Sequence, residues 1–559
     1  MALNVPGVVA VVLFYIMILA TGVWAARKSR KAGKKSDGNR TEAVLLGERN
    51  ISLLVGVFTM TATWVGGGFL LGIAEAVYTP KMGLIWALMP IQYTMSFIIG
   101  GLFFAKPMRE QKYITMMDPF QIKYGKVLSA ALVLPCLLTE VLWVSCTLLG
   151  LGATLSVILD LPYGYSVWIS AAVAIVYTLL GGLYSVAYTD VIQLSLAFLS
   201  LWLCVPFLLL NGTSVSIAQT AFNHTFQEPW LGTLERDSVW KWIDDFLMLG
   251  LGSVSFQSFH QRTLSASSPR AAQLTCYAAA LVIAILGIPP VLVGAVAAST
   301  DWNLTLYGSS PYERGEHSLV LPLTLQYLTP WYISITGIGA VAAAVMSSTD
   351  SSLLSATSVF SSNIYKNVLR TQASDYEMQW VIWVTVVLVG LVGTSISFYA
   401  NSVLVLWLLG ADVSYSLIFP HLVSVLFFKM TNGYGAVVGY VVGLTVRILL
   451  GENAVGLPVV LQLPGCTLED GVLVQKSPVR TVSMLITLAS VLVFSPLASF
   501  VFDRGLLPES WDVFKVKRGV TVTPADAVTQ SLKEEAGSDG ECDENTHGVA
   551  LQPISQAGT

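Results

Sequence analysis

The sequence predicts an all-α polytopic membrane protein with about thirteen transmembrane helices. Three observations predict it. Charged residues make up only 11% of the 559, hydrophobic residues 54%, and the mean hydropathy is +0.68. Soluble globular proteins carry about a quarter charged residues, so a chain this poor in charge cannot cover a water-facing surface. Apolar runs of about 20 residues, long enough for a helix to cross a bilayer, recur along the chain. The roughly ten-residue alternating segments of a β-barrel are absent.

Taken in order, the spans fall near 6–26, 51–78, 83–105, 127–158, 165–187, 190–210, 240–260, 272–298, 320–360, 379–400, 402–428, 433–450 and 480–502. The first lacks a charged segment before it and is followed by Arg27, Lys28, Arg30, Lys31, Lys34 and Lys35. A cleaved signal peptide has the reverse polarity, so this segment is expected to stay as an anchor. Basic clusters belong on the inner side, which leaves the N-terminus outside. The net charge of −4 adds little, because orientation depends on where Lys and Arg fall.

Later loops agree with that orientation. Lys106, Arg109, Lys112, Lys123 and Lys126 lie between spans three and four, Arg262 and Arg270 follow span seven, and Lys366 and Arg370 follow span nine. All fall inside. Glycosylation sequons at Asn211, Asn223 and Asn303 follow spans six and eight, on the outer side. Sequons at Asn39 and Asn50 fall inside and are expected to be chance matches. The odd span count leaves the C-terminus in the cytoplasm, and the expected location is the plasma membrane. The chain divides into a transmembrane domain, 1–502, and a polar tail, 503–559. Within the tail, Lys533 to Asn545 is acidic and Gly-rich without apolar periodicity, the composition of a disordered segment. Most of the cysteines (Cys136, Cys146, Cys204, Cys276, Cys466 and Cys542) fall inside apolar spans without metal-type spacing, which favours packing.

Some residues do not belong in lipid. Span two reads Thr59-Met-Thr-Ala-Thr-Trp-Val-Gly-Gly-Gly68. Each glycine disfavours helix by about 1 kcal/mol relative to Ala. An unwound stretch is tolerable at membrane depth only when buried in protein or lining a wet cavity, and many secondary transporters build their sites from such breaks. A glycine face for close helix packing explains the same run. Adjacent Thr61, Thr63 and Trp64 tip the reading towards a site. Span nine contains Ala344-Val-Met-Ser347-Ser348-Thr-Asp350-Ser351-Ser352, a density of hydroxyls with a carboxylate that offers hard oxygen ligands suited to Na⁺. A single membrane Ser or Thr usually bonds back to its own helix, but the cluster is harder to dismiss. Glu75, Glu140, Asp190 and Asp350 also lie within or beside apolar spans, where ionisable groups are functional candidates by default. Arg447, near the outer end of its span, can snorkel. Trp64, Tyr93, Trp143 and Phe256 stand on spans two, three, four and seven. Ring faces attract quaternary ammonium groups, yet the same rings make ordinary core.

The run Gly181-Gly-Leu-Tyr-Ser-Val-Ala-Tyr-Thr189-Asp190-Val-Ile-Gln193 resembles the signature of the sodium/solute symporter family. Further segments resemble its choline-carrier branch: the span-two run Thr59 to Gly68, Ala74-Glu-Ala-Val-Tyr78, Gly101-Leu-Phe-Phe-Ala-Lys-Pro-Met-Arg109, Ser299-Thr-Asp-Trp-Asn303 and Ala343-Ala-Val-Met-Ser-Ser348. The resemblance extends from the first span to about Phe514. It implies a leucine-transporter-like fold with two inverted five-helix repeats, about 51–210 and 240–428. It implies a sodium site on the carbonyls of Ala62, Val65 and Ala344 and the hydroxyls of Ser347 and Ser348. It also implies an aromatic cage matched by Trp64, Tyr93 and Trp143, with Phe256 in place of an expected Trp. Phe69 and Phe259 replace expected Tyr, and Leu71 and Ile73 replace expected Asn and Thr. The branch implies chloride dependence, for which no residue stands out.

The expected function is therefore sodium-coupled import of choline or a related quaternary ammonium. Alternatives are symport of a different organic solute and a non-transporting sensor with the same fold. A channel would show a selectivity-filter loop or rings of like charge. An enzyme would show a nucleophile–base pair or a metal motif. The expected partners are a small cationic solute and the bilayer, not nucleic acid; a homo-oligomer is left open.

Overall fold

Apolar residues on every face drive this chain into helices, since each helix satisfies its own backbone groups where lipid cannot. The computed structural model describes residues 5–33, 40–399, 402–469 and 471–517. The helices used below are α1 (Val5–Gly33), α2 (Leu53–Trp64), α3 (Gly67–Tyr78), α4 (Met89–Ile99), α5 (Lys126–Leu159), α6 (Tyr163–Leu209), α7 (Val239–Gly252), α8 (Gln257–Leu264), α9 (Pro269–Leu286), α10 (Ile288–Ala298), α11 (Trp331–Val359), α12 (Asp375–Ser397), α13 (Val403–Val413), α14 (Phe419–Phe427), α15 (Gly433–Leu449) and α16 (Val479–Asp503). Among the described residues, nine helical stretches are long and apolar enough to cross a membrane, and α2 with α3, bent by 51°, makes a tenth. Expected spans five, seven and twelve fall on shorter helices, among them Tyr163–Leu179 and Gly433–Leu449.

The described residues fall into two units, divided between 497 and 498. The second is described as far as Lys517 and holds the end of a helix and a turn at Glu509–Trp511. The acidic stretch Lys533 to Asn545, Asn39, Lys34, Lys35 and Cys542 lie outside the described residues. In the first unit α11 is the central helix, packed mainly against α6 and α5. Every residue from Ala340 to Val359 is buried. Its Ala and Ser side chains are small enough to let neighbouring helices approach closely.

Several boundaries differ from the expected ones. Span nine begins at Trp331, not 320: Val320–Leu328 is a separate short helix. Thr329 is extended, as the residue before a proline prefers, and Pro330 then starts α11. Spans five and six meet inside α6 at Gly182, earlier than expected, where φ is 62° and an added Cβ would stand 3.2 Å from the Val44 carbonyl oxygen. Thr189 and Asp190 consequently lie within a helix. Span seven is not continuous; it breaks between α7 and α8, with Phe256 extended in the gap. The loop before α16 carries an antiparallel hairpin, β1 (Cys466–Glu469) and β2 (Val472–Gln475), in an otherwise helical chain. Cys136, Cys146, Cys204 and Cys276 are buried and unbridged, as packing residues would be.

The loops sort to two ends. The backbone after α6 bonds to the backbone after α10, Val215 N–H to Ser299 O at 2.9 Å and Asp301 N–H to Thr213 O at 3.2 Å. Asn211 donates to Leu328 O at 2.8 Å, while Asn223 and Asn303 are exposed. The three sequons thus share one end. At the other end Arg49 donates to Tyr113 O, Arg109 to Ala266 O and Lys123 to Phe428 O. Asn50 lies beside Ile51, whose N–H bonds to Ser265 O at that same basic end.

Candidate functional site

The break between α2 and α3 falls on Val65 and Gly66. Val65 has φ −85° and ψ 73°, Gly66 φ −122° and ψ −157°. Only Gly66 fits here, because a Cβ would lie 2.2 Å from the Ser348 hydroxyl oxygen. Gly67 and Gly68 are helical and pack closely, Gly68 against the Trp407 ring. The glycine run therefore serves both purposes the sequence left open: a break at its first member, tight packing at the next two.

Ending α2 leaves its last carbonyls without partners in their own helix. Ser348 of α11 meets them, its hydroxyl donating to Ala62 O at 3.1 Å and Thr63 O at 2.9 Å. Ser347 turns instead to Asp190 of α6, donating to Oδ1 at 2.5 Å, and Thr59 donates to the other oxygen of the same carboxylate. The fold thus brings Ser348 to the Ala62 and Thr63 carbonyls and joins Ser347 to Thr59 through Asp190; Val65 follows at the break, and Ala344 lies one turn before Ser348 on α11. The carbonyls and hydroxyls there form an oxygen-rich, fully buried cluster suited to a hard monovalent cation.

Arg262, expected in a basic inner loop, is not in a loop at all. It is buried in α8, which runs past the expected end of span seven. Its Nε donates to Thr63 Oγ1 at 3.1 Å, its Nη2 to Ser351 Oγ, and Nη2 stands 4.0 Å from Asp190 Oδ2. A buried guanidinium needs such partners, and their arrangement ties α8 to the polar cluster. Nothing in the local sequence distinguished Arg262 from a topology-setting arginine.

The four expected aromatic residues also converge. Trp64 meets Tyr93 edge-on at 4.6 Å between ring centroids and Trp143 at 5.0 Å. It stacks on Phe256 at 5.5 Å, and Phe256 meets Trp143 at 5.1 Å. Phe97 joins Trp64 at 5.5 Å and Trp407 joins Tyr93 at 5.6 Å; neither was singled out from sequence, where they look like any apolar span residue. Phe69 stacks on Tyr93 and Phe259 on Phe97, while Leu71 and Ile73 are buried. The Trp64 and Phe256 faces lie too close together to admit an ammonium group between them; a cation sits up to about 6 Å from each centroid it faces. A cation therefore has to part these rings or use their other faces.

The remaining acidic candidates have partners. Glu140 accepts the Ser258 N–H at 3.3 Å, at the start of α8, where orphan donors and the helix dipole favour a carboxylate. Asp350 accepts from Thr178 at 3.0 Å. Glu75 accepts from Ser402 at 3.1 Å and lies 3.7 Å from His317, whose pKa burial lowers. Arg447 does not snorkel freely: its guanidinium pairs with Asp412 and Glu452, and Asp412 also faces Arg480.

The sodium:solute symporter family model matches residues 45–443. The chain is 48% identical over 516 residues to the high affinity choline transporter 1 of Homo sapiens, covering 92% of this chain and 89% of that one. It is 44% identical over 515 residues to its Drosophila melanogaster counterpart, covering 92% and 81%. A sodium/proline symporter of Haemophilus influenzae is 24% identical, covering 72% and 82%. In fold it matches a solved Na⁺-coupled sialic acid symporter with a TM-score of 0.67 at 17% identity, covering 88% of this chain and 98% of that one. A nucleobase-cation-symport-1 family transporter matches with a TM-score of 0.53 at 12% identity, covering 87% and 97%. With the broken helices, the buried hydroxyl cluster and a family match across most of its length, the chain belongs to the sodium:solute symporter family.

Proposed function

We propose that the chain imports choline or a close quaternary ammonium together with sodium, as a carrier rather than an enzyme. The observation that carries this reading is the end of α2. The carbonyls of Ala62 and Thr63 meet Ser348 while Trp64, next in the chain, anchors the ring cluster. An ion held by Ala62, Val65, Ala344, Ser347 and Ser348 would fix the broken end of α2 and with it the Trp64 ring. That is how sodium would favour the substrate-ready state, since a ligand shifts an equilibrium only by its differential affinity for the two states. A permanent cation cannot shed its charge in a dry pocket, and each ring face of Trp64, Tyr93, Trp143 and Phe256 replaces lost hydration by about 0.5–2 kcal/mol. No residue is assigned to chloride, and the carrier's oligomeric state is left open.

Labelled choline uptake by cells expressing the chain, with and without sodium, tests the reading. Uptake should require sodium, Ser347→Ala and Ser348→Ala should each weaken sodium activation at normal surface expression, and Trp143→Ala should abolish most uptake. If choline neither enters nor competes with any transported solute, and Trp143→Ala leaves transport intact, the ring reading is wrong. A second reading, a different organic cation, is favoured by the buried Phe69, Leu71, Ile73 and Phe259, apolar where the choline branch implies Tyr, Asn, Thr and Tyr.

The proposed orientation places the sequon end outside in the plasma membrane and both the basic end and the C-terminal tail in the cytoplasm. The sharing of one end by the two loops that carry the three sequons supports it. Glycosidase treatment should shift the mobility of the native chain. A shift that survives combined Asn211→Gln, Asn223→Gln and Asn303→Gln would overturn it.

A further inference from the structure

Helix α1 has one packed face and one bare one. The packed face lies on α6: Ile18 and Gly22 are buried, an added Cβ at Gly22 would stand 2.8 Å from the Tyr177 ring, and Ser185 donates to Gly22 O at 2.9 Å. On the other face Leu13, Ile16, Ala20 and Trp24 are exposed at three- and four-residue spacing, a stripe that acyl chains cover in a membrane. Arg27 continues that stripe and is exposed, and the same spacing falls next on Lys31.

Six Lys or Arg stand between 27 and 35, with no Asp or Glu before Asp37. The first four belong to α1, which runs on as helix to Gly33. Its contact with α6 sets their depth. α6 turns at Gly182, beside Val44 at the basic end, and Gly22 is level with Ser185, about 4.5 Å inside that turn at 1.5 Å per residue. Arg27 therefore emerges about 3 Å past the turn and Gly33 about 12 Å past it. The polar layer of one leaflet is about 5–8 Å deep, so the helix crosses it. Trp24, edge-on to Tyr188 at 5.9 Å, precedes Arg27 by one turn, where interfacial aromatics belong.

Other basic side chains at this end have partners. Arg49 pairs with Glu42, Lys106 with Glu110 and Arg370 with Glu377, while Arg109 and Lys123 donate to backbone carbonyls. Among the described residues Arg27 joins no ion pair. The preference of basic residues for the inner side explains where the run lies. It does not explain why six charges stand together, without an acid among them, on a helix that faces lipid. The cytoplasmic leaflet carries the complementary charge, and basic runs beside a membrane helix are drawn to it.

We propose that the run from Arg27 to Lys35 is a docking surface for the headgroups of anionic phospholipids, which hold the inner end of α1 against the membrane. The inference rests on the proposed orientation only for which leaflet is met.

The purified full-length chain in nanodiscs of mixed phosphatidylcholine and phosphatidylserine tests it, with native mass spectrometry counting the lipids retained. The native chain should retain phosphatidylserine in preference, and added salt should weaken the preference. Each charge that reaches the surface contributes about fivefold. Replacing all six basic residues by Gln should therefore lower the ratio of phosphatidylserine to phosphatidylcholine by about tenfold or more. The combined Lys31→Gln, Lys34→Gln, Lys35→Gln variant keeps three charges to orient α1 and should lose less; it decides the matter if the sixfold variant does not insert. No preference in the native chain, or a native ratio in the triple variant, would overturn the docking surface. Displacement of the lipid by equimolar phosphoserine would overturn it too, by marking a site for free anions. Glycosylation of the three sequons in cells tests orientation separately. Lipid preference in a chain whose sequons stay unmodified would support the surface and sink the orientation, and glycosylation without lipid preference would do the reverse.

Discussion

The two broken helices solve one problem with different chemistry. Between α2 and α3 the backbone itself supplies the break: Gly66 has no side chain, so Ser348 can approach and cap the freed carbonyls. Between α7 and α8 no glycine stands in the gap. There the freed groups are met by side chains, Ser255 bonding to Gly252 O at 2.6 Å and to the Ser414 hydroxyl at 2.8 Å, and Glu140 receiving the Ser258 N–H. The first break is therefore marked locally by its glycine, although its cap comes from distant α11, while the second carries no such glycine and leans on distant α5 and Ser414. Each break also brings a ring into the cluster, Trp64 from the first and Phe256 from the second.

This contrast can be broken or sharpened by mutation. The largest effect is expected at Gly66. In Gly66→Ala the new methyl must displace Ser348, and overpacking of this kind costs about 1–3 kcal/mol. Sodium-dependent uptake should fall about tenfold or more, since 1.4 kcal/mol is tenfold. Retained uptake with normal sodium activation would show that the first break does not need glycine. Glu140 comes next. Glu140→Ala leaves the buried Ser258 N–H without its acceptor, a loss of about 1–3 kcal/mol, and should lower the melting temperature of the purified chain. Glu140→Gln keeps an acceptor and should recover part of the loss; equal melting of both variants with the native chain would remove Glu140 from the second break. The smallest effect is expected for Ser255→Ala, which removes a neutral hydrogen bond worth about 1 kcal/mol and should shift melting only slightly. A drop as large as that of Glu140→Ala would mean that hydroxyls, not the carboxylate, hold the second break.

The same division runs through the candidate site. Thr59 to Gly68 and Ser347 to Ser352 stand out in the sequence because glycine and dense hydroxyls are costly in a membrane helix, and the fold brings both runs together. Phe97 and Trp407 did not stand out, because an apolar ring in an apolar span carries no local sign of its neighbours. Arg262 misled for a related reason. An arginine just past a span satisfies the rule for inner loops equally well whether it faces water or, as here, lies buried against Thr63, Ser351 and near Asp190.

By itself the sequence determined that this is a helical membrane protein, where its long spans lie, which loops are basic and which carry sequons, and where one helix breaks. These properties depend on composition and local backbone preference, which act over a few residues. Only the tertiary structure decided that rings from three helices and the α7–α8 break touch, that Asp190 and Arg262 share one buried cluster, and that span seven breaks at Ser253 to Phe256. Each of these depends on contacts between residues on different helices, tens of positions apart or more, and local propensity holds no information about which distant side chain will be there to accept a bond or fill a gap.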